Sequence, residues 1–321
     1  YMEFNWKFYI ENYPDFKKVG INNYNQALSH WRNHGKKEGR ISYFDYKNYL
    51  LNNKDLIEEG IRTAEKAFNH WLNLGRFEQR KIDSPNLYKA ITVNSIFDQV
   101  YLINLKEDTV KLERMKKKLN KLNISYNLFE AINGNKLTNK RKIVDRDGVV
   151  CGYGAYGCKL SHIEILEDAK RKNYNKILIL EDDLFFDKEF NKKFKENYFD
   201  LIINRNTDYK LLFLGSSKDK FKNKIRNYGG FAIVIDCSIF NLLINYKNDN
   251  RHIDEIYVDE IQMKNKKFIV FEPNIITANV MNSKTNNDNS WNLNKFNLNL
   301  DKKQIYYMKE NNLDINNFDI S

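Results

Sequence analysis

Apolar strand-like runs alternate with helical segments after residue 98, and this alternation predicts an α/β sandwich on a largely parallel sheet. Two further observations complete the fold class. An ungapped 40-residue repeat before residue 80 predicts a small all-α N-terminal domain. The apolar run 177–180 reads as a buried strand, and it ends in three consecutive acids. The expected organisation is two helical repeats over 1–80, a connection over 81–98 and one α/β domain over 99–321. A chain of 321 residues, 42% of them hydrophobic, can bury a core of that extent.

Residues 4–40 align with 44–80 at a constant offset, and Phe4/Phe44, Tyr9/Tyr49, His30/His70, Trp31/Trp71 and Gly35/Gly75 are among the identical pairs. In each unit a first helix is expected over 9–16 or 49–57, with a turn at Gly20 or Gly60. A second covers 24–33 or 64–73 and stops at Gly35 or Gly75, a C′ glycine. Ala27 and Trp31 share a helix face, as do Ala67 and Trp71, so His30 and His70 beside them read as packing or capping residues. Glu38 with Arg40, and Glu78 with Arg80, read as local ion pairs. Two units make a poor free-standing solenoid, so the module reads as structural or partner-binding.

In the second domain, 100–105 reads as a strand with a polar break at Asn104. An amphipathic helix follows, with Leu112, Met115, Leu119 and Leu122 on one face and lysines on the other. A strand near 126–130, a turn at Asn133-Gly134, a glycine-rich loop over 151–158 and a helix over 160–171 come next. Further strands are expected at 211–214, 231–235 and 268–271. The glycine-rich loop lacks a following Gly-Lys-Ser/Thr and a leading strand, which excludes a P-loop and a dinucleotide fingerprint. Ser161 and His162 are adjacent on the next helix and point to different faces, against a nucleophilic triad.

The net charge of +11 comes from lysines scattered among Asn and Ile, with no basic arm, so no nucleic-acid partner is expected. Cys151, Cys158 and Cys237 show no CxxC pair or Cys/His metal spacing and read as reduced or buried thiols. No apolar run is long enough to span a membrane.

Glu181, Asp182 and Asp183 repel one another unless positive charge sits among them, and strand ends in α/β sheets face ligands. A divalent cation is the simplest partner, and carboxylate oxygens suit Mg²⁺ or Mn²⁺. Acids holding a metal against a diphosphate are a device of sugar-nucleotide transferases. An acidic turn capping the next helix gives the same triplet.

Six motifs in order sharpen the choice. Ile103-Asn104-Leu105 with the charged segment 106–114, Ala131-Ile132-Asn133-Gly134, Gly157-Cys158-Lys159-Leu160-Ser161-His162, Leu180-Glu181-Asp182-Asp183, Phe213-Leu214-Gly215 and Ile253-Asp254-Glu255-Ile256 precede Glu272-Pro273. Over about 99–291 this order resembles glycosyltransferase family 25, which includes bacterial lipooligosaccharide galactosyltransferases and collagen hydroxylysine galactosyltransferases. The resemblance implies a GT-A-type, Rossmann-like fold, a UDP-sugar donor and Mn²⁺ (or Mg²⁺). The transferred hexose would be galactose or glucose. The acceptor would be hydroxylysine or galactosyl-hydroxylysine of a collagen-like protein, or a surface glycan.

On that reading Asp182 and Asp183 are the metal ligands, while Asn104, Leu105, Glu181, Ser161 and His162 line the donor pocket. Asp254 is the candidate general base for inverting transfer, with Glu255 as the alternate. A helix cap and a satisfied histidine fit Ser161 and His162 equally, and helix-starting acids fit Asp254 and Glu255. The family's Asp-Arg pair after the first strand is Val110-Lys111 here. No histidine follows His252, so Asn279, Asp288 or water would complete a metal site. Giant-virus proteins join similar His-Trp repeats to such transferases. A catalytically inactive carbohydrate- or protein-binding module is the alternative outside the enzyme class, and a homo-oligomer is compatible with either.

Overall fold

The computed structural model describes residues 4–82, 85–145, 148, 150–221, 224–279 and 307–319. They form two compact units, Tyr1–Ala90 and Ile91–Ser321.

In the first unit each repeat contains three short helices. They are α1 (Trp6–Glu11), α2 (Asp15–Lys18) and α3 (Tyr24–His30), then α4 (Tyr46–Asn52), α5 (Lys54–Glu58) and α6 (Ala64–His70). The helix expected over 9–16 is thus split at Pro14, which has no N–H to give, and its counterpart is split at Asn53. There the Asn53 amide donates to the carbonyls of Tyr49 and Lys81. Asn5, Asn23, Asp45 and Thr63 cap their helices through the side chain.

The third helix does end at Gly35 and Gly75, but as its last helical residues and without the positive φ of a C′ glycine. It widens into a π turn over Trp31–Gly35 and Trp71–Gly75. The glycines are needed for another reason: a Cβ on Gly35 would lie 1.9 Å from the Tyr9 hydroxyl oxygen, and on Gly75 2.3 Å from that of Tyr49. Those hydroxyls meet His30 Nδ1 at 3.0 Å and His70 Nδ1 at 2.9 Å, so both histidines serve packing. Arg40 pairs with Glu38 and reaches back to Asp15, and Arg80 does the same with Glu78 and Asp55.

Burial pushes the phenols of Tyr9 and Tyr49 up to about 12. Between about pH 10, where an unfolded tyrosine ionises, and 12, the folded chain holds protons that the unfolded chain releases. The module's stability is therefore full below that window and falls as pH rises through it. Circular dichroism of an alkaline titration should show the loss, and Tyr9→Phe with Tyr49→Phe should flatten it.

Residues 81–98 are not a single connection. Helix α7 (Leu87–Ala90) packs on α4, where the Asn48 amide donates to the Ile82 carbonyl at 3.1 Å and that of Asn52 to Pro85 at 3.0 Å. Buried Asn48 and half-buried Asn52 thus hold 82–90 on the first unit, which extends to residue 90.

The second unit opens with α8 (Val93–Ile96), held by a Thr92/Ser95 capping box. In order follow β1 (Gln99–Asn104), α9 (Thr109–Lys121), β2 (Asn127–Glu130), β3 (Ile143–Val144), β4 (Val150–Cys151), α10 (Tyr153–Arg171), β5 (Lys176–Leu180), β6 (Leu184–Asp187) and α11 (Phe190–Ile203). Then come β7 (Leu211–Phe213), β8 (Ser217–Phe221), β9 (Lys224–Tyr228), β10 (Ala232–Asp236), α12 (Phe240–Ile244), α13 (Ile253–Tyr257), β11 (Phe268–Val270), β12 (Ile276–Ala278) and β13 (Phe318–Asp319).

Six strands make the main sheet in the order β11-β7-β10-β5-β1-β2, and only β10 runs antiparallel to its neighbours. This is the mixed α/β layering expected from the sequence. Ile177 and Ile179 face a core with Ile163, Leu166, Ile256 and Tyr257. The alternating Leu178 and Leu180 are also fully buried, so both faces are covered and the strand reads as one apolar run.

After Leu180 the chain leaves this sheet and re-enters as β6 in a three-stranded antiparallel sheet, β12-β6-β13. The acid triplet is the joint between the two sheets. Asn279 N–H donates to the Asp183 carbonyl at 2.6 Å and pins the joint from β12's end.

Two sequence expectations change here. Lys111 and Lys118 of α9 are buried, not on a solvated lysine face. Lys118 donates to the carbonyls of Leu184 and Asp319, tying α9 to the small sheet. And α10 begins at Tyr153, so most of the glycine-rich loop is helix. A Cβ on Gly157 would stand 2.2 Å from the Ile132 carbonyl oxygen, and one on Gly134 1.7 Å from that of Tyr153. Helix and loop touch backbone to backbone, which outweighs the roughly 1 kcal/mol that glycine costs a helix.

Candidate active site

Each functional side chain is placed by the end of a regular element. The acids follow β5, Lys111 lies in the first turn of α9 after β1, and Cys158 and His162 lie on α10. Asp254 begins α13. Strand ends and helix starts converge where the two sheets part.

The Lys111 ammonium stands 3.2 Å from Asp182 Oδ1 and 3.3 Å from Asp183 Oδ2. Burial lowers the lysine's proton affinity, but the carboxylates of Asp183 and Asp182 outweigh it and hold the ammonium above its ordinary value. Burial raises Asp182, opposed by Lys111. Burial also raises Asp183, to about 7, with Lys111 opposing it and the charges of Glu181 and Asp182 adding to it.

Asp254 takes the Gly230 N–H on Oδ1 at 2.7 Å. A Cβ on Gly230 would lie 2.5 Å from that oxygen, so any other residue there would push the Asp254 carboxylate aside. Burial and the charge of Glu181 raise the Asp254 carboxyl, against the Gly230 N–H and the two histidines 162 and 252. Glu255 is buried too, but one helical step of about 100° turns it from Asp254's direction.

His162 is fully buried, with Nδ1 3.1 Å from the Tyr257 hydroxyl and Nε2 3.6 Å from Glu181 Oε1. Nε2 has no hydrogen-bond partner among the described residues. Ser161, on the opposite face, accepts from Ile132 N–H and donates to the Gly157 carbonyl, both at 2.8 Å. Its hydroxyl is used by the α10–loop contact and does not join the carboxylates, because helix position sends it away from His162. At the end of β1 the Asn104 amide donates to Leu105 O at 2.6 Å, while its buried Oδ1 has no partner among the described residues.

The structure therefore brings Glu181, Asp182, Asp183, Asp254 and His162 together, with Asn104 and Leu105 at a neighbouring strand end. Sequence reasoning missed Lys111, Cys158 and Tyr257. For Lys111 the signal was present: it occupies the position where the family's pattern departs. Asp182 and Asp183 offer hard oxygen donors and fit Mg²⁺ or Mn²⁺, with Lys111 as the positive charge that holds them otherwise. Asn279 is buried beside the joint, and Asp288 lies outside the described residues.

Four carboxylates gathered beyond the C-terminal end of a central strand of a mixed α/β sheet lie where α/β proteins take their ligands. Residues 97–229 match the profile of Glycosyltransferase family 25 (LPS biosynthesis protein). This stretch contains every site residue named above except Gly230, His252, Asp254, Glu255, Tyr257, Asn279 and Asp288. Procollagen galactosyltransferase 1-B of Xenopus laevis is 33% identical over 142 residues, covering 40% of this chain and 23% of that protein. Procollagen galactosyltransferase 2 of Homo sapiens is 27% identical over 161 residues, covering 47% and 26%. The matches thus span about a quarter of those relatives. Among solved structures, a glycosyltransferase involved in the glycosylation of the major capsid of PBCV-1 aligns with TM-score 0.35 and 10% identity, over 55% of this chain and 81% of that one. That likeness is too distant to carry an argument.

Proposed function

We propose that this chain is a metal-dependent glycosyltransferase of GT-A type that moves a hexose, galactose or glucose, from a UDP-sugar to a hydroxyl acceptor. One observation carries the reading: Asp183 at the end of β5 and Asp254 from another part of the chain meet around Glu181, whose charge adds to burial in raising both carboxyls. Asp182 and Asp183 would hold Mn²⁺ or Mg²⁺, which supplies charge neutralisation for the departing UDP. Asn104, whose Oδ1 has no partner among the described residues, and Leu105 would bind the nucleotide, and Glu181 would face the ribose. Asp254 would accept the acceptor's proton; raised by burial, it is a stronger base than a solvated carboxylate. The procollagen relatives favour hydroxylysine or galactosyl-hydroxylysine of a collagen-like protein over a surface glycan.

The test is UDP release from a panel of UDP-sugars, with collagen-like peptide, in Mn²⁺ or EDTA. Release from one donor that EDTA abolishes is the expected result. If no donor binds or turns over in either condition, the chain is the inactive carbohydrate- or protein-binding module instead.

A further inference from the structure

We infer that Cys158, His162 and Glu181 form a second metal site, of thiolate–imidazole–carboxylate chemistry, that takes a Zn²⁺-class cation. It is separate from the oxygen-donor pair Asp182 and Asp183 and does not rest on the transferase reading. Cys158 and His162 are four apart on α10 and share its face toward the end of β5. Glu181 Oε1 lies 3.6 Å from Cys158 Sγ and 3.6 Å from His162 Nε2. All three ligand atoms lie within 4.8 Å of one another. Tetrahedral zinc, with bonds of roughly 2.0–2.3 Å, sets its ligand atoms about 3.3–3.7 Å apart. Two edges of the triangle already have that length.

The second observation is the orphaned nitrogen. His162 is fully buried, yet among the described residues Nε2 has no hydrogen-bond partner and is aimed at a carboxylate too far away to bond. A cation between them satisfies both. With the metal bound, the Tyr257 hydroxyl at 3.1 Å would accept from Nδ1–H and hold the tautomer whose Nε2 lone pair faces the site. A sulfur and a nitrogen among three donors favour zinc-class ions over Mg²⁺ or Mn²⁺. Three protein ligands leave a fourth position open. On binding, the Cys158 thiol gives its proton to solvent and the sulfur pair forms the metal bond, so one proton is released per ion.

The full chain, stripped with chelator, should be titrated with Co²⁺, a spectroscopic stand-in for zinc. One equivalent should produce a thiolate-to-cobalt charge-transfer band in the near ultraviolet, which Zn²⁺ then removes. Cys158→Ser and His162→Gln should lose the band. Cys151→Ser and Cys237→Ser should keep it, although Cys151 also meets a histidine, His252, at 2.8 Å. Tyr257→Phe should weaken cobalt binding by about 10–100-fold, as loss of an outer hydrogen bond to a ligating histidine does. Should the variants misfold, wild type alone decides: Zn²⁺ should protect Cys158, and not Cys237, from alkylation mapped by peptide mass. No thiolate band, a band that survives in folded Cys158→Ser, or unprotected Cys158 overturns the site.

Discussion

Asp254→Asn is expected to lower kcat by about 10²–10⁴-fold, the usual range for loss of a general base, while the KM for donor changes little. The asparagine keeps the size and can still accept the Gly230 N–H that positions Oδ1 at 2.7 Å, so geometry is held while basicity is removed. Wild-type Asp254 is raised by burial and by Glu181, which tunes a carboxylate toward proton acceptance. Glu255→Gln, one step on along α13, is the comparison. If Glu255→Gln abolishes transfer and Asp254→Asn does not, the base is assigned to the wrong residue of the pair. Initial rates over donor and acceptor concentration separate these outcomes. Equal, small losses in both would reduce them to helix-starting acids.

Much of this site was legible because its signals are local. The run 177–180 ends in acids on the chain itself, and the strands at 211–214 and 231–235 announce themselves by apolar runs; all fall within a residue or two of the observed elements. What sequence could not show is set by tertiary contact. Lysines 111, 116, 117, 118 and 121 look alike as a solvated helix face, yet 111 and 118 are two turns apart and point inward. Only the position of the β5 acids singles out the first. The glycine-rich segment misled in the same way: its local propensity favours a loop, and its packing against residues 132–134 makes it helix. Moving the helix start to Tyr153 also places Cys158 and His162 on one helix face, a spacing hidden while 151–158 is read as loop.

Lys111→Met carries the second large effect, and it tests the cation assignment through stability alone. The lysine and both aspartates are nearly enclosed, with side chains 11%, 14% and 10% exposed, so solvent screens the pair little. Methionine preserves the apolar stem and removes the charge. Without divalent cation, two buried carboxylates then lack a counter-ion, and the expected loss in denaturant unfolding is about 3–5 kcal/mol. A divalent cation competes with the ammonium for the same two carboxylates. In the variant, Mn²⁺ at about a hundred times its dissociation constant should return about 2.7 kcal/mol, since ligand that binds only the folded state stabilises by mass action. Wild type, already neutralised by Lys111, should need more Mn²⁺ for the same gain. If Mn²⁺ and EDTA give the variant the same unfolding midpoint, the cation does not sit on Asp182 and Asp183. The lysine would then be their permanent counter-ion, and transfer would have to neutralise departing UDP with Lys111 in place of a metal.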